Sequence, residues 1–391
     1  MSLNLRSLIG LPLTDDRVPT PAFVLDKAKL LANIHRAQKR AADLGVAFRP
    51  HLKTHKSIDI ARLQMTSPEG PATVSTLAEA RYFAENGVKD ILYAVGIAPQ
   101  KLTEVDAIHH ETGCDLKIIL DSAEAAKLVS DFCRAHHTKL PVLLEIDVDG
   151  HRSGLLPDSP DIVTTARALT DGAYLKGVLT HAGDSYECKT QEAIAAAAEQ
   201  ERAGIVKAAD MLRAAGFTVD IVSVGSSPTL MRSASETGVT EIRAGVCAFF
   251  DLFMTNVGIC TVDDIAGSVL TTVIGRKANK NRIITDSGFL AMSRDRGTQR
   301  QKKDYGYGLV CDVDGHPLDE GKILLAGTNQ EHGIIDLPEN TTLTQTDFPI
   351  GRRLRVLPNH ACPTAAPYAH FLVVENGLIV DVIGHVRGWE V

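Results

Sequence analysis

A (β/α)8 barrel followed by a mainly antiparallel β domain is the fold this sequence predicts, and three observations predict it. From about residue 20 to 250, short β-rich runs alternate with Ala- and Leu-rich stretches of helical spacing, the pattern of parallel β/α units. Eight such runs remain once the first, AFVLD, is set aside, and eight is the number a closed barrel needs. After about residue 262 helical patterns nearly vanish, and short strand-like runs separated by Gly, Asp, Asn and Pro replace them. The expected domains are therefore 20–261 for the barrel and 262–391 for the β domain. Residues 1–26 either lie on the barrel's outside or pack with the β domain.

The expected barrel strands, in order, are VAFRPHLK (46–53), TVSTL (73–77), DILYAV (90–95), LKIILD (116–121), VLLEIDVD (142–149), LKGVLTHAG (175–183), IVSVGS (221–226) and EIRAGV (241–246). Segments such as KAKLLANIHRAQKRAADLG and QEAIAAAAEQERAGIVKAADMLRAAG lie between strands and are rich in good helix formers. No G-x-G-x-x-G follows the first strand, which argues against a doubly wound dinucleotide fold. In the second domain SVLTTVIGR, RIITD, YGLVCDV, KILLAG, RLRVL, HFLVVE and LIVDVIG read as strands.

The 391 residues are 44% hydrophobic and 23% charged, enough to bury a large core without disulfide or metal staples. Net charge is −7, and no segment is strongly basic, which excludes a nucleic-acid surface built on clustered cations. Seven cysteines with no C-x-x-C pair suggest a reducing compartment. The start, MSLNLRSLIGLPLTDD, lacks the pattern of a signal peptide, and no apolar run approaches the roughly 20 residues that span a bilayer. The expectation is a cytoplasmic enzyme acting on a small molecule, with no membrane or nucleic-acid partner.

Chemistry-bearing residues gather at the predicted strand ends, where barrel active sites lie. Lys53 closes RPHLKTHKS, flanked by His51 and His55. Partial desolvation there suits a lysine that forms a Schiff base; the alternative is a solvated strand-end lysine. VSVGSSPTL ends a strand in Gly225-Ser226-Ser227 before Pro228, and EIRAGV supplies Arg243, Gly245 and Val246. Turns of this kind after the last two strands commonly cradle a phosphate, although a single Gly-Ser turn is often only a turn. Arg152 in DVDGHRSG, and His181 with Tyr186 in THAGDSYE, also fall at the mouth.

In the β domain, LPNHACPTAAPY places His360 and Cys362 two apart. A strand-like H-x-C points both side chains the same way, and imidazole with thiolate suits Zn²⁺. The alternative is a buried cysteine beside a hydrogen-bonded histidine. Glu331 and His332 in NQEHG are either supporting groups, a third ligand or a turn. Tyr305 and Tyr307 in DYGYG either pack at an edge or reach a site.

These residues, with the longer motifs RPHLKTHKS, EIDVDGHRSG, GVLTHAGDSYE, VSVGSSPT, EIRAGV, SRDRGTQRQKKDYGYG, NQEHG and PNHAC, resemble the alanine-racemase-like (fold type III) pyridoxal-phosphate enzymes. Within them, the metal-activated D-serine dehydratase branch is the match, over nearly the whole chain. The resemblance implies that Lys53 holds pyridoxal 5'-phosphate and acts in catalysis. It implies phosphate contacts from Gly225, Ser226, Ser227, Gly245 and Val246, and places Arg152, His181 and Tyr186 around the ring. It implies a divalent metal on His360 and Cys362, zinc before manganese or magnesium. Asp184 stands where relatives often carry His, Asn or Ser, so no role is carried over to it. The implied reaction is dehydration of a D-β-hydroxy amino acid, D-threo-3-hydroxyaspartate or D-serine, to a 2-oxo acid and ammonia, by a homodimer. The rival within the superfamily is a D-threonine or D-3-hydroxyaspartate aldolase. Members of that branch tend to carry a carboxylate where this chain has Cys362.

Overall fold

The structure is a computed structural model describing residues 5–390. The chain divides into two compact units, one joining the described residues up to Asn33 to Ala248–Arg387, the other running Ile34–Cys247 and taking in the tail from Gly388.

The first strand, β1 (Ala22–Asp26), belongs to the former unit and not to the barrel. The latter unit holds β2 (Ala47–Pro50), β3 (Ala72–Val74), β4 (Asp90–Gly96), β5 (Asp115–Leu120), β6 (Leu140–Ile146), β7 (Ala173–Thr180), β8 (Ile221–Val224) and β9 (Glu241–Ala244). All pair in parallel, in the order β2-β9-β8-β7-β6-β5-β4-β3, and a single bridge from His51 to Thr73 joins the two ends. β6, Leu-Pro-Val-Leu-Leu-Glu-Ile, is buried along its whole length, as a parallel strand covered on both faces must be. The helix Ala123–His136 buries Ala126, Val129, Ser130 and Cys133, a stripe of helical period, and Ser122 caps its first turn. Most expected barrel strands run on past the observed ends, because their last polar residues turn out of the sheet into loops.

The other unit continues with β10 (Gly267–Lys277), β11 (Arg282–Thr285), β12 (Leu309–Cys311), β13 (Gly327–Thr328), β14 (Gly333–Asp336), β15 (Arg353–Leu357), β16 (His370–Glu375) and β17 (Leu378–Gly384). Its path is β13-β14-β11-β10-β1-β16-β17, with β15 pairing both β10 and β12. Among the described residues only β1 and β16 run parallel in this sheet. The long β10 pairs with β1 and β15 over its first residues and with β11 from Val273 onward, where a bulge between Val273 and Gly275 shifts the register. Leu8, Leu13, Val18, Ala22, Val24, Leu270, Leu372, Val374 and Ile379 form its buried cluster, which ties β1 to this unit. KILLAG yields only the two-residue β13, while Gly333–Asp336, unread in the sequence, pairs with β11. Among the described residues no helix is long and apolar enough to cross a membrane.

Candidate active site

β2 ends at Pro50, and the chain passes into one 3-10 turn, Leu52–Thr54. Lys53 therefore lies just beyond the strand, not on it as the sequence suggests: Leu52 and Thr54 turn into the core and leave Lys53 exposed. Two imidazoles stand in the field of its charge. Burial, reinforced by Lys53, Arg243, His181 and Arg152, pushes the His51 pKa well below its ordinary value. Burial likewise lowers His181 to about 3, against the pull of the Gly225 carbonyl and with help from Lys53, Arg152 and Arg243. His181 Nδ1 donates to the Gly225 oxygen at 2.7 Å, so Nε2 carries the lone pair. The Tyr186 ring lies 5.9 Å from that of His181, and Arg152 reaches Glu145 at 3.3 Å. Arg243 is buried and donates to the Ser223 hydroxyl and the Thr180 carbonyl. Lys53, Arg152 and Arg243 surround the neutral imidazoles with cations, partly offset by Glu145, that can meet an anionic ligand.

The turn after β8 has the shape of a phosphate cradle. Gly225 has φ +147°, and a Cβ there would lie 2.0 Å from the Arg243 carbonyl oxygen, so only glycine lets the two strand ends approach. Ser226 and Thr229 cap one another at the start of the helix Ser227–Arg232, and the Ser226 hydroxyl lies 2.8 Å from that of Ser185. The Ser227 hydroxyl is buried without an oxygen or nitrogen partner. At Gly245 a Cβ would meet the His51 carbonyl at 3.0 Å; Val246 beside it is buried. Glu201, from the helix Gln191–Ala214, is fully buried and accepts the backbone N–H groups of Gly225 at 2.8 Å and Ala182 at 3.1 Å. It holds together the loops that carry His181 and the Gly-Ser-Ser turn. The buried Ser227 hydroxyl, with only the Cys247 thiol beside it and no oxygen or nitrogen partner, and the glycine-lined approach fit a pyridoxal phosphate with its phosphate at this turn. Asp184 is exposed, 3.3 Å from His151.

In the other unit, His360 is extended and Cys362 sits in the first turn of a short helix, Ala361–Ala365. The strand-like H-x-C of the sequence reading is thus a strand-to-helix corner, made because buried Asp251 accepts the Ala361 N–H at 2.9 Å. The corner still brings imidazole and thiol within hydrogen-bonding reach. His360 Nδ1 lies 2.7 Å from Asp295 Oδ2. Burial lowers the His360 pKa, but the bonds to Asp295 and Cys362 and the charge of Asp251 outweigh it and raise it to about 11. Imidazole and thiol side by side, with a carboxylate behind the ring, are side chains that could hold a divalent metal. Among the described residues no three of His, Cys, Asp and Glu converge as a ready-made cation site, so the pair would supply two ligands. Glu331 and His332 are exposed in a turn, with the Asn329 N–H bonded to the His332 carbonyl, and it is Asp295 that supports His360. Tyr305 and Tyr307 pack under Lys303 and Arg296, 4.5 and 5.0 Å from their ring centres.

The sequence reading passed over three carboxylates, Glu201, Asp251 and Asp295. Glu201 reads as one more charge in an Ala-rich helix, and nothing in its spacing marks it. Asp295 lies inside SRDRG between two arginines, where it reads as the partner of a surface charge.

The family model of the alanine racemase N-terminal domain matches residues 25–252, and a serine dehydratase domain model matches residues 266–374. The chain belongs to the alanine-racemase-like family of pyridoxal-phosphate enzymes, in its D-serine dehydratase branch. It is similar to the D-threo-3-hydroxyaspartate dehydratase of Delftia sp. (strain HT23), at 48% identity over 375 residues, 95% of this chain and 96% of that one. The solved structure of that enzyme superposes with a TM-score of 0.93 at 47% identity, covering 97% of this chain and 100% of the other. A cysteine-to-alanine variant of it has been solved in a metal-free form. The D-serine dehydratase of Dictyostelium discoideum is 30% identical over 378 residues, 91% of this chain and 93% of that one. A D-threonine aldolase of Arthrobacter sp. is 25% identical over 386 residues, 96% of this chain and 92% of that one.

Proposed function

We propose that this protein dehydrates D-β-hydroxy amino acids, D-threo-3-hydroxyaspartate or D-serine, to the 2-oxo acid and ammonia, with pyridoxal phosphate in the barrel unit and a divalent metal, zinc foremost, in the other. The observation that carries the reading is the His360–Cys362 pair backed by Asp295. A racemase has no use for such a pair. The extent of the likeness to D-threo-3-hydroxyaspartate dehydratase supports it.

Each residue has a task in this reading. Lys53 would hold the cofactor through its amine and would take the proton from Cα. Gly225, Ser226, Ser227, Gly245 and Val246 would receive the phosphate, with Ser227 offering a buried hydroxyl that has no oxygen or nitrogen partner. Arg152, His181, Tyr186 and Arg243 surround the ring. Neutral His181 presents Nε2 as an acceptor while Gly225 fixes its tautomer. Bound there, pyridoxal phosphate supplies an electron sink that acidifies the Cα–H bond. A metal on His360 and Cys362 supplies Lewis acidity toward a β-hydroxyl, a poor leaving group without it. Cys362, a softer ligand than the carboxylate of the aldolase branch, suits zinc.

The test is product analysis of purified protein with pyridoxal phosphate and D-threo-3-hydroxyaspartate, with and without chelator. Ammonia and oxaloacetate, lost on chelation, are the expected result. Glycine and glyoxylate would move the enzyme to the aldolases. If this substrate is inert, D-serine giving pyruvate and ammonia is the remaining form of the proposal. We place the enzyme as a homodimer in the cytoplasm; an odd set of seven scattered cysteines with no C-x-x-C pair suits a reducing compartment.

A further inference from the structure

A histidine holds a metal well only if its ring is turned the right way and the correct nitrogen is bare. Both conditions are set here by one loop, 293–306. Buried Asn359, the residue before His360, donates its amide to the carbonyls of Asp295 at 3.1 Å and Gly306 at 2.7 Å, and its Oδ1 accepts the Thr298 hydroxyl at 3.2 Å. The loop is thereby sewn to the ligand strand at three points. Its Asp295 carboxylate has little freedom: Oδ1 takes the Gly297 N–H at 2.7 Å, and Oδ2 faces His360 Nδ1 at 2.7 Å. At Gly297 a Cβ would lie 2.9 Å from the Phe253 ring and 3.0 Å from Asp295 Oδ1, so the loop has no space to relax. Turning the imidazole over would break a charge-assisted bond, and Nε2 is the nitrogen left for a metal. From the other side, Asp251 holds the corner by the Ala361 N–H at 2.9 Å.

We propose that Asp295 is a positioning residue: through its bond to His360 Nδ1 it fixes the ring's orientation and leaves Nε2 to face the metal, and Asn359 sets its place. The inference rests on reading His360 and Cys362 as the metal ligands. Its test is the affinity of the metal-stripped holoenzyme for Zn²⁺, measured by competition with a chromophoric chelator. Asp295→Asn should weaken Zn²⁺ binding by about 10–100-fold. The cofactor absorbance should stay unchanged, which shows the barrel unit intact, while the metal-free protein melts somewhat lower because the charge-assisted bond to His360 is gone. Equal Zn²⁺ affinity in folded Asp295→Asn overturns the inference. Should that variant not fold, Asp295→Glu, which keeps the charge but displaces it by one methylene, takes its place: weaker binding supports the inference, and wild-type affinity overturns it. Zn²⁺ affinity unmoved by Cys362→Ala overturns the metal reading itself and this inference with it.

Discussion

His51 and His181 show how much a residue's chemistry depends on its company. Both ionise below their ordinary range, because burial strips water from the charged form and Lys53, Arg152 and Arg243 repel a further proton. The consequence for stability has a definite sign. The folded pKa of His181, about 3, lies below the ordinary 6.5, so on acidification the unfolded chain binds a proton first. Cofactor-free protein should hold its stability above about pH 6.5 and lose it progressively toward pH 3, as followed by urea unfolding. His181→Asn, which removes the titration but can still donate to the Gly225 carbonyl, should flatten that slope; an unchanged slope would remove His181 as its source. At the same scale, Lys53→Ala should abolish the yellow absorbance of the bound cofactor and all turnover. A borohydride-reducible adduct surviving on another lysine would refute the attachment. Lys53, His360 and Cys362 stand out in the sequence as candidates because their type and local motif suggest a chemistry. Glu201 and Asp295 do not, since a carboxylate becomes a support only through partners 24 and 65 residues away.

Strands contribute more than a frame. Arg49 on β2 bonds Glu241 of β9 at 2.8 Å and Asp90 of β4 at 2.8 Å, while Lys117 of β5 also holds Asp90 at 2.7 Å. Arg49 and Glu241 are almost wholly buried, and Glu241 further accepts the Ser223 hydroxyl at 2.6 Å. This ion network occupies positions that apolar layers fill in most barrels. Removing one member strands a buried charge, so Arg49→Ala should cost about 3–5 kcal/mol of stability in chemical denaturation. A loss below about 1 kcal/mol would place the pair in the class of solvent-screened surface bridges. Most barrel strands were legible because Val, Ile and Leu runs repeat between helical stretches. β14 was not: Gly333–Asp336 is four residues whose pairing is decided by β11 and β13 on either side.

Across the whole molecule, two units bring separate chemistries, and the variants should separate them too. Chelation, or Cys362→Ala, should leave the cofactor absorbance intact and depress dehydration by more than the roughly 10–100-fold that loss of a supporting group costs. Full activity of Cys362→Ala in chelator, read as ammonia release, would sever the metal from the reaction. The assignment of AFVLD also belongs to this scale. As a five-residue apolar strand it is locally indistinguishable from its barrel counterparts, and only pairing with β10 and β16 shows which sheet owns it.

Taken alone, the chain's residues determined the barrel and the β domain, and marked the lysine, the Gly-Ser-Ser turn and the His-Cys pair as candidates, because hydrophobic periodicity and side-chain type are local properties. Tertiary structure decided what those groups face. It turned Lys53 off its strand, set His360 and Cys362 at a corner, kept His51 and His181 neutral, and put Glu201, Asp251 and Asp295 behind the working residues. The physical reason is that burial and electrostatic partnership are sums over neighbours in space, and those neighbours come from positions that no spacing along the chain relates.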